Sequence, residues 1–245
     1  MVGPLGKVAV PQVGKESSMA IPGSPEIFFP PRSARGVLDF VMRHFPFPLA
    51  LTYARLHEEM DLQEPIAAAW QLRDACECLL KFTACLAVAD CLHAGPDAER
   101  AGTLASILLK PQGLSLGDWH TLLHEALTPL EPLARAGSLA ESGRSLPELF
   151  SVFFDVTGRL RPSLLNRKID GDAESFVAWR NRVFGHGVFR QERHWYAEET
   201  QRWLPTLHAF YTALQPVLDG WLLVGVTPTG DEVSWQGAEA LPHTA

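Results

Sequence analysis

Apolar residues recur every three to four positions through most of the chain, the spacing that gathers them on one side of a helix. From Ser33, a suitable N-cap, this pattern predicts a short helix over 34–45, broken by Pro46 and Pro48 and resumed over 49–60. Phe45, Phe47 and Leu49 are placed to dock that arm on a core. The longest uninterrupted pattern spans 66–92. It has no internal Gly or Pro and is too apolar to be wetted on most sides, so it reads as a central helix that stops at Gly95 and Pro96. Further helices are predicted over 103–109, over 116–136 with bends at Pro129 and Pro132, over 146–156, over 173–184, and over 196–218 with a bend near Pro205. After Trp221 the period changes. Residues 222–226 and 232–235 alternate like strands and flank Pro228 to Asp231, a credible hairpin turn.

The fold class that follows is mostly α: a helical bundle with a small C-terminal β-hairpin and a Pro-rich N-terminal tail. Four segments are expected. Residues 1–33 hold six prolines among glycines and serines and form the tail, 34–63 a helical arm, 64–220 the bundle, and 221–245 the hairpin with a short end.

Composition narrows the function. At 245 residues, 47% apolar and 20% charged, the chain has the make-up of a folding domain. Its net charge of -7 argues against a surface that binds nucleic acid indiscriminately. No apolar run approaches the roughly 18 residues of a membrane span, and the first residues lack the apolar centre of a signal peptide. A cytoplasmic protein without a membrane partner is the expectation. Cys76, Cys78, Cys85 and Cys91 crowd into one helical stretch, too close for a long-loop disulfide framework. They lack paired CxxC knuckles, and positions 76 and 78 diverge by about 200° on a helix. They read as reduced thiols in a core, with no metal and no cofactor expected. His120 and His124 form an i, i+4 pair without a third ligand. Trp70, Trp119, Trp203 and Phe210 have the spacing of core residues, and neither a GxxxxGK[ST] nor a GxGxxG loop occurs.

One segment has the composition of a reactive site: Trp179, Arg180, Asn181, Arg182, Val183, Phe184, Gly185, His186, Gly187. A guanidinium stabilises charge on a phosphate in transfer, an imidazole moves protons near neutrality, and an amide orients both. On an unbroken α-helix Arg180 and His186 lie about 120° apart, so they converge only if the helix loosens or a second subunit completes the site. Arg182 and His186, four apart, share a face if the helix continues. Charge is concentrated here as well. Between Arg159 and Arg193 the segment is net +4, with Arg167, Lys168, Arg182 and Arg190 as candidate RNA-binding residues, while the remainder of the chain is net -11.

Arg180 and Asn181, then four residues, then His186, placed just before the last long helix, resembles the R-polar-x4-6-H motif of HEPN (higher eukaryotes and prokaryotes nucleotide-binding) domains. The resemblance covers residues 64 to about 220 as helix order and is specific only over 180–186. It implies a HEPN-like bundle and a metal-independent endoribonuclease whose paired motifs form a composite site in a homodimer. Arg180, Asn181 and His186 would be its catalytic residues. The RNA 2'-hydroxyl would be the nucleophile, and the product would be a cyclic phosphate. It also implies RNA restriction in defence or in a toxin-like setting, with an activator or antitoxin protein as a possible partner. Antitoxin-paired members often carry Tyr two residues beyond the His. This chain has Val188 there, so regulation through that Tyr is not expected. The competing expectation is a non-catalytic helical adaptor, in which Arg180 makes a salt bridge and Gly185 to Gly187 is only a turn. Its docking elements would be the Pro-rich arm or the hairpin, because a two-stranded ribbon needs a surface to pack on.

Overall fold

The computed structural model describes residues 26–154, 156–160, 166–169, 172–185, 192–219, 223–226, 232–235 and 243–244. These residues are mostly helical. The centre is α3 (Pro65–His93), which begins on Pro65, where a missing N–H costs nothing, and is uninterrupted to its end. It packs against α2 (Phe47–Asp61), α5 (Leu116–Leu127) and α9 (Arg193–Leu218). Buried Ala68, Ala69, Ala75, Ala84 and Ala87 interleave with buried Leu72, Leu79 and Leu80. Small side chains on several faces let three neighbours approach one helix, which is why its apolar positions run almost around the axis.

The N-terminal arm differs from the expectation in its first turns. Arg32–Ala34 is a single 3-10 turn, Gly36 adopts φ +65°, and the first α-helix is α1 (Asp39–His44). Gly36 takes a conformation that L side chains rarely adopt, and no helix runs through it. Helix α2 starts on Phe47, ahead of the expected Leu49, because Pro48 falls in its first turn. Phe28 and Phe29 are buried, so chain packing begins before residue 34. Gln63, at φ +58°, holds that strap: its Oε1 accepts from Phe28 N and Phe29 N at 2.8 Å each, and its Nε2 donates to Phe29 O. Residues 1–25, most of the Pro-rich segment, lie outside the described residues.

Beyond α3, α4 (Ala98–Leu108) begins earlier than its apolar pattern does, because Asp97 caps it by accepting from Arg100 N. A capping box between Ser115 and Asp118 starts α5. The proline-marked bend is a 3-10 turn at Thr128–Leu130 leading into α6 (Glu131–Arg135), and α7 (Pro147–Ser151) is a short remnant of the helix expected over 146–156. Two strands had no expectation: β1 (Asn166–Ile169) pairs antiparallel with β2 (Asp172–Ser175), placing Arg167 opposite Glu174 and Lys168 opposite Ala173 in register. The helix expected from Ala173 therefore starts at Phe176 as α8 (Phe176–Arg180), capped by Ser175, and passes into a π turn at Asn181–Gly185. Near the C-terminus β3 (Leu223–Val226) pairs antiparallel with β4 (Glu232–Trp235), and β5 (His243–Thr244) with β4. The expected turn from Pro228 to Asp231 lies outside the described residues. Among the described residues no helix is long and apolar enough to cross a membrane.

Candidate functional site

The segment singled out in the sequence lies where α8 gives way to the π turn. Trp179 and Phe176 are buried, and they anchor the short helix against Trp203 of α9, with Trp179 and Trp203 ring centres 5.4 Å apart. That anchoring leaves the following residues at the surface: Asn181 and Arg182 are exposed, and the Arg180 side chain keeps a third of its surface. The turn widens the backbone from i→i+4 to i→i+5 bonding and includes Gly185, so the helix does loosen within the motif.

Arg180 is held from two sides. Its Nε donates to Oε1 of Glu77 on α3 at 3.1 Å, and its Nη1 donates to Asn181 Oδ1 at 3.3 Å. Glu77 is only 16% exposed at its side chain and accepts also from Lys81 Nζ at 3.1 Å. The row Lys81, Glu77, Arg180, Asn181 thus carries one surplus positive charge, and the carboxylate in its middle sets the guanidinium plane. Among the described residues Arg180 Nη2 makes no hydrogen bond, so that edge is available to an anionic oxygen. Gly185 stands against the same pair: a Cβ built on it would be 3.7 Å from Asn181 Oδ1 and 3.9 Å from Arg180 Nη1.

Arg182 has a different setting. It makes a bidentate contact with Glu174 of β2, with Nε to Oε1 at 3.1 Å and Nη2 to Oε2 at 3.2 Å, and lies 3.8 Å from Glu199 of α9. Glu199 is buried and also accepts from Trp179 Nε1 at 2.6 Å and Arg202 Nη1 at 3.2 Å. A phosphate reaching Arg182 would have to displace a carboxylate already in place. Arg167 and Lys168 lie on β1, which β2 links to α8 through backbone pairing. His186 and Arg190 lie outside the described residues.

Nearby on α3, the Arg73 guanidinium sits 4.2 Å from the Trp70 ring centre and 5.4 Å from that of Phe184, and the two rings are 4.7 Å apart. Trp70 and Trp119 are half-buried, whereas Trp203 is fully buried and Phe210 nearly so. Core spacing thus places two of these four aromatic residues inside and leaves two at the edge. Cys76 and Cys91 are buried, Cys78 is half-buried and Cys85 is exposed, and all four are free thiols. Burial pushes the Cys78 thiol up to about 11, and that of Cys76 higher, far from a reactive thiolate. Among the described residues no group of three or more His, Cys, Asp or Glu side chains could hold a metal ion.

The chain matches no protein-family model, no curated protein and no solved structure. What it can do chemically has to come from the arrangement itself. A second polar cluster, absent from the motif reasoning, surrounds His57 and His208 between α2 and α9. His57 is fully buried with neither ring nitrogen hydrogen-bonded, and its ring stacks on that of His208 with centres 5.7 Å apart. His208 Nε2 is 2.9 Å from the Tyr53 hydroxyl, which accepts from Leu38 N at 2.9 Å. Burial lowers His57 to about 3 and His208 to about 4, with the neighbouring imidazole and Arg35 adding to the effect at His57. Both are neutral near pH 7. No periodicity marked them, since they are 151 positions apart and meet only through helix packing.

Proposed function

We propose that the protein is a HEPN-like endoribonuclease that cuts RNA without a metal, at a site built from Arg180, Asn181 and His186 and completed by a second copy of the chain. The observation that carries this reading is the position of Gly185 beside Arg180 Nη1 and Asn181 Oδ1. His186 follows that glycine in the sequence and completes the motif. Glu77 supports it by holding Arg180 through Nε, which leaves Nη2 without a hydrogen bond among the described residues.

In the reaction the 2'-hydroxyl of RNA attacks the adjacent phosphorus as its proton passes to a general base. The P–O5' bond breaks, the 5'-oxygen takes up a proton, and the products are a 2',3'-cyclic phosphate and a 5'-hydroxyl. His186 of one or both subunits serves as the acid-base group. Arg180 Nη2 bears on the nonbridging oxygens, whose negative charge increases in the pentacoordinate state, and Asn181 fixes Arg180. Arg167, Lys168 and Arg190 guide the RNA backbone, and Arg182 joins them only when a phosphate exchanges with Glu174. The biological setting is RNA restriction in defence or as a toxin, in the cytoplasm, with an activator or antitoxin protein as partner.

The test is cleavage of single-stranded RNA in EDTA. Wild-type protein yields cyclic-phosphate ends, DNA of the same sequence is not cut, and Arg180→Ala and His186→Ala each remove activity with helical circular dichroism unchanged. Cleavage at the wild-type rate by both variants overturns the reading. The engagement of Arg182 by Glu174 favours one alternative, a non-catalytic helical adaptor in which these arginines are structural. Under it the same variants leave partner capture intact, and deletion of 221–235 weakens capture.

A further inference from the structure

A cavity of about 530 Å³ opens between the N-terminal strap and α9, lined by Pro30, Ala34, Arg35, Gly36, Met60, Gln201, Leu204, Pro205 and His208. Its size is that of a small-molecule site. Its walls divide by chemistry. Pro30, Ala34, Met60, Leu204 and Pro205 provide apolar surface, and the polar contributions come from Arg35, Gly36 and His208 and from Gln201.

The proton on His208 can be placed from its partners. Tyr53 O already accepts from Leu38 N–H, so its own proton is best used on His208 Nε2. In a neutral imidazole the remaining proton is then on Nδ1, making that atom a donor. This Nδ1 is the nearest group to Gly36, 4.0 Å from where a Cβ would stand. The strap adds a second donor. Arg35 is right-handed helical (φ -90°, ψ -5°) and Gly36 follows at φ +65°, the succession that turns consecutive backbone N–H groups toward one concavity and suits an anion. Arg35 N–H is taken by Arg32 O, and among the described residues Gly36 N–H has no acceptor.

Charge agrees with the donors. The Arg35 side chain lies beneath the cavity, bonded to Asp61 through Nη2 and to His57 O through Nη1 at 3.4 Å, with Nε unpaired. Arg32 also reaches Asp61, at 3.6 Å. Two guanidinium groups share one carboxylate, so Arg32, Arg35 and Asp61 together are net +1, and of the three Arg35 lines the cavity. Gly36, with no Cβ, keeps the approach to His208 open.

We propose that this cavity binds a small organic monocarboxylate, its carboxylate received by Gly36 N–H and His208 Nδ1–H and its carbon body lying on Met60, Leu204 and Pro205. The two donors match the two carboxylate oxygens, and the net positive Arg32, Arg35 and Asp61 group beside them favours an anion over a neutral ligand. The site is separate from the Arg180 segment: Glu199, which meets Arg182 and Trp179 of that segment, and His208 are nine residues apart on α9, about 180° around the helix and some 13.5 Å along it.

The probes are sodium benzoate and its neutral isostere benzamide, titrated into the full chain at constant ionic strength. Binding is followed by thermal shift and by the 15N resonances of the His208 ring. Expected are a saturable rise in Tm with benzoate, displacement of the Nδ1 resonance, and binding of benzamide at least tenfold weaker. His208→Phe removes the donor at similar volume, and Leu204→Trp fills the cavity from the apolar side while retaining every donor. Each is expected to weaken benzoate at least tenfold, and Arg180→Ala to leave it unchanged. The proposal is overturned if benzoate produces no saturable shift, if benzamide binds equally well, or if Leu204→Trp retains wild-type affinity. Because the probe is read by binding alone, failure here is distinguishable from failure of the ribonuclease reading.

Discussion

Helix α9 separates two polar clusters that meet the cost of burial in opposite ways. Around Glu199 the carboxylate is buried but supplied with Trp179 N–H and Arg202 and flanked by Arg182. Around His57 the polar atoms are buried and left wanting, with both imidazole nitrogens and Arg35 Nε unpaired. A buried charge persists only when compensated, whereas a buried imidazole can shed its proton and remain neutral at a smaller penalty. The first cluster therefore ties α8 and the π turn rigidly to the bundle. The second stores a sensitivity to acid and borders an open cavity.

The largest effect should come from breaking the compensated side. Glu199→Leu orphans the Trp179 N–H and leaves Arg182 and Arg202 short of a partner, and urea denaturation should show a loss of about 3–4 kcal/mol. Smaller losses, below about 1 kcal/mol, would mean the cluster is not the clamp described.

Acid should break the uncompensated side. His57 and His208 have folded values near 3 and 4 against about 6.5 when unfolded, so the unfolded chain binds protons that the folded one refuses. Their effect on stability is absent well above pH 6.5 and grows as pH falls from 6.5 toward 4, where His57 accounts for about 3 kcal/mol of lost stability at roughly 1.4 kcal/mol per pH unit. His57→Phe should flatten that slope and, by removing two unpaired nitrogens, raise stability at pH 7 by about 1 kcal/mol. A slope between pH 6.5 and 4 equal to wild type would show that His57 is solvated.

Arg180 lies between these extremes, with a third of its side chain exposed and one ion pair, to Glu77. Glu77→Gln keeps the shape but weakens the hold on Arg180, and under the proposed ribonuclease reading kcat for RNA cleavage should fall about tenfold with KM little changed, since that reading assigns Arg180 to the transition state. The smallest effect is expected at the rim: Lys81→Met removes an exposed i, i+4 partner of Glu77 and should change stability by no more than about 0.5 kcal/mol. A larger loss would extend the compensated cluster out to the surface of α3.

Legibility followed the range of the interaction. The central helix was visible because an apolar stretch free of Gly and Pro for more than twenty residues has few alternatives. The break after Phe45 was visible in Pro46 and Pro48, although Pro48 proved to sit inside the first turn of α2 rather than before it. Strands β1 and β2 were not visible: their polar residues, Arg167, Lys168, Asp172 and Glu174 among them, carry no two-residue apolar alternation, and they form a ladder by pairing with each other. Arg180 and Asn181 were found by spacing, but spacing could not show that Glu77, on another helix, holds the guanidinium. Nothing local singles out His208, because Tyr53 and His57, the groups that set its proton and its charge, are remote in the chain.

What this chain determines by itself is therefore local: where helices start and stop, which segment is basic, and which short run combines a guanidinium, an amide and an imidazole. Those follow from capping, proline and period, each acting within a few residues. Only the tertiary structure decided which carboxylate restrains Arg180, that Glu199 is compensated and His57 is not, and that a strap beginning at Phe28 closes over α9 to make a cavity. Apart from Arg202, three positions from Glu199, these contacts join residues well separated in the chain, from Arg182 and Glu199 to Phe28 and α9, and their energy depends on burial, which no local spacing encodes.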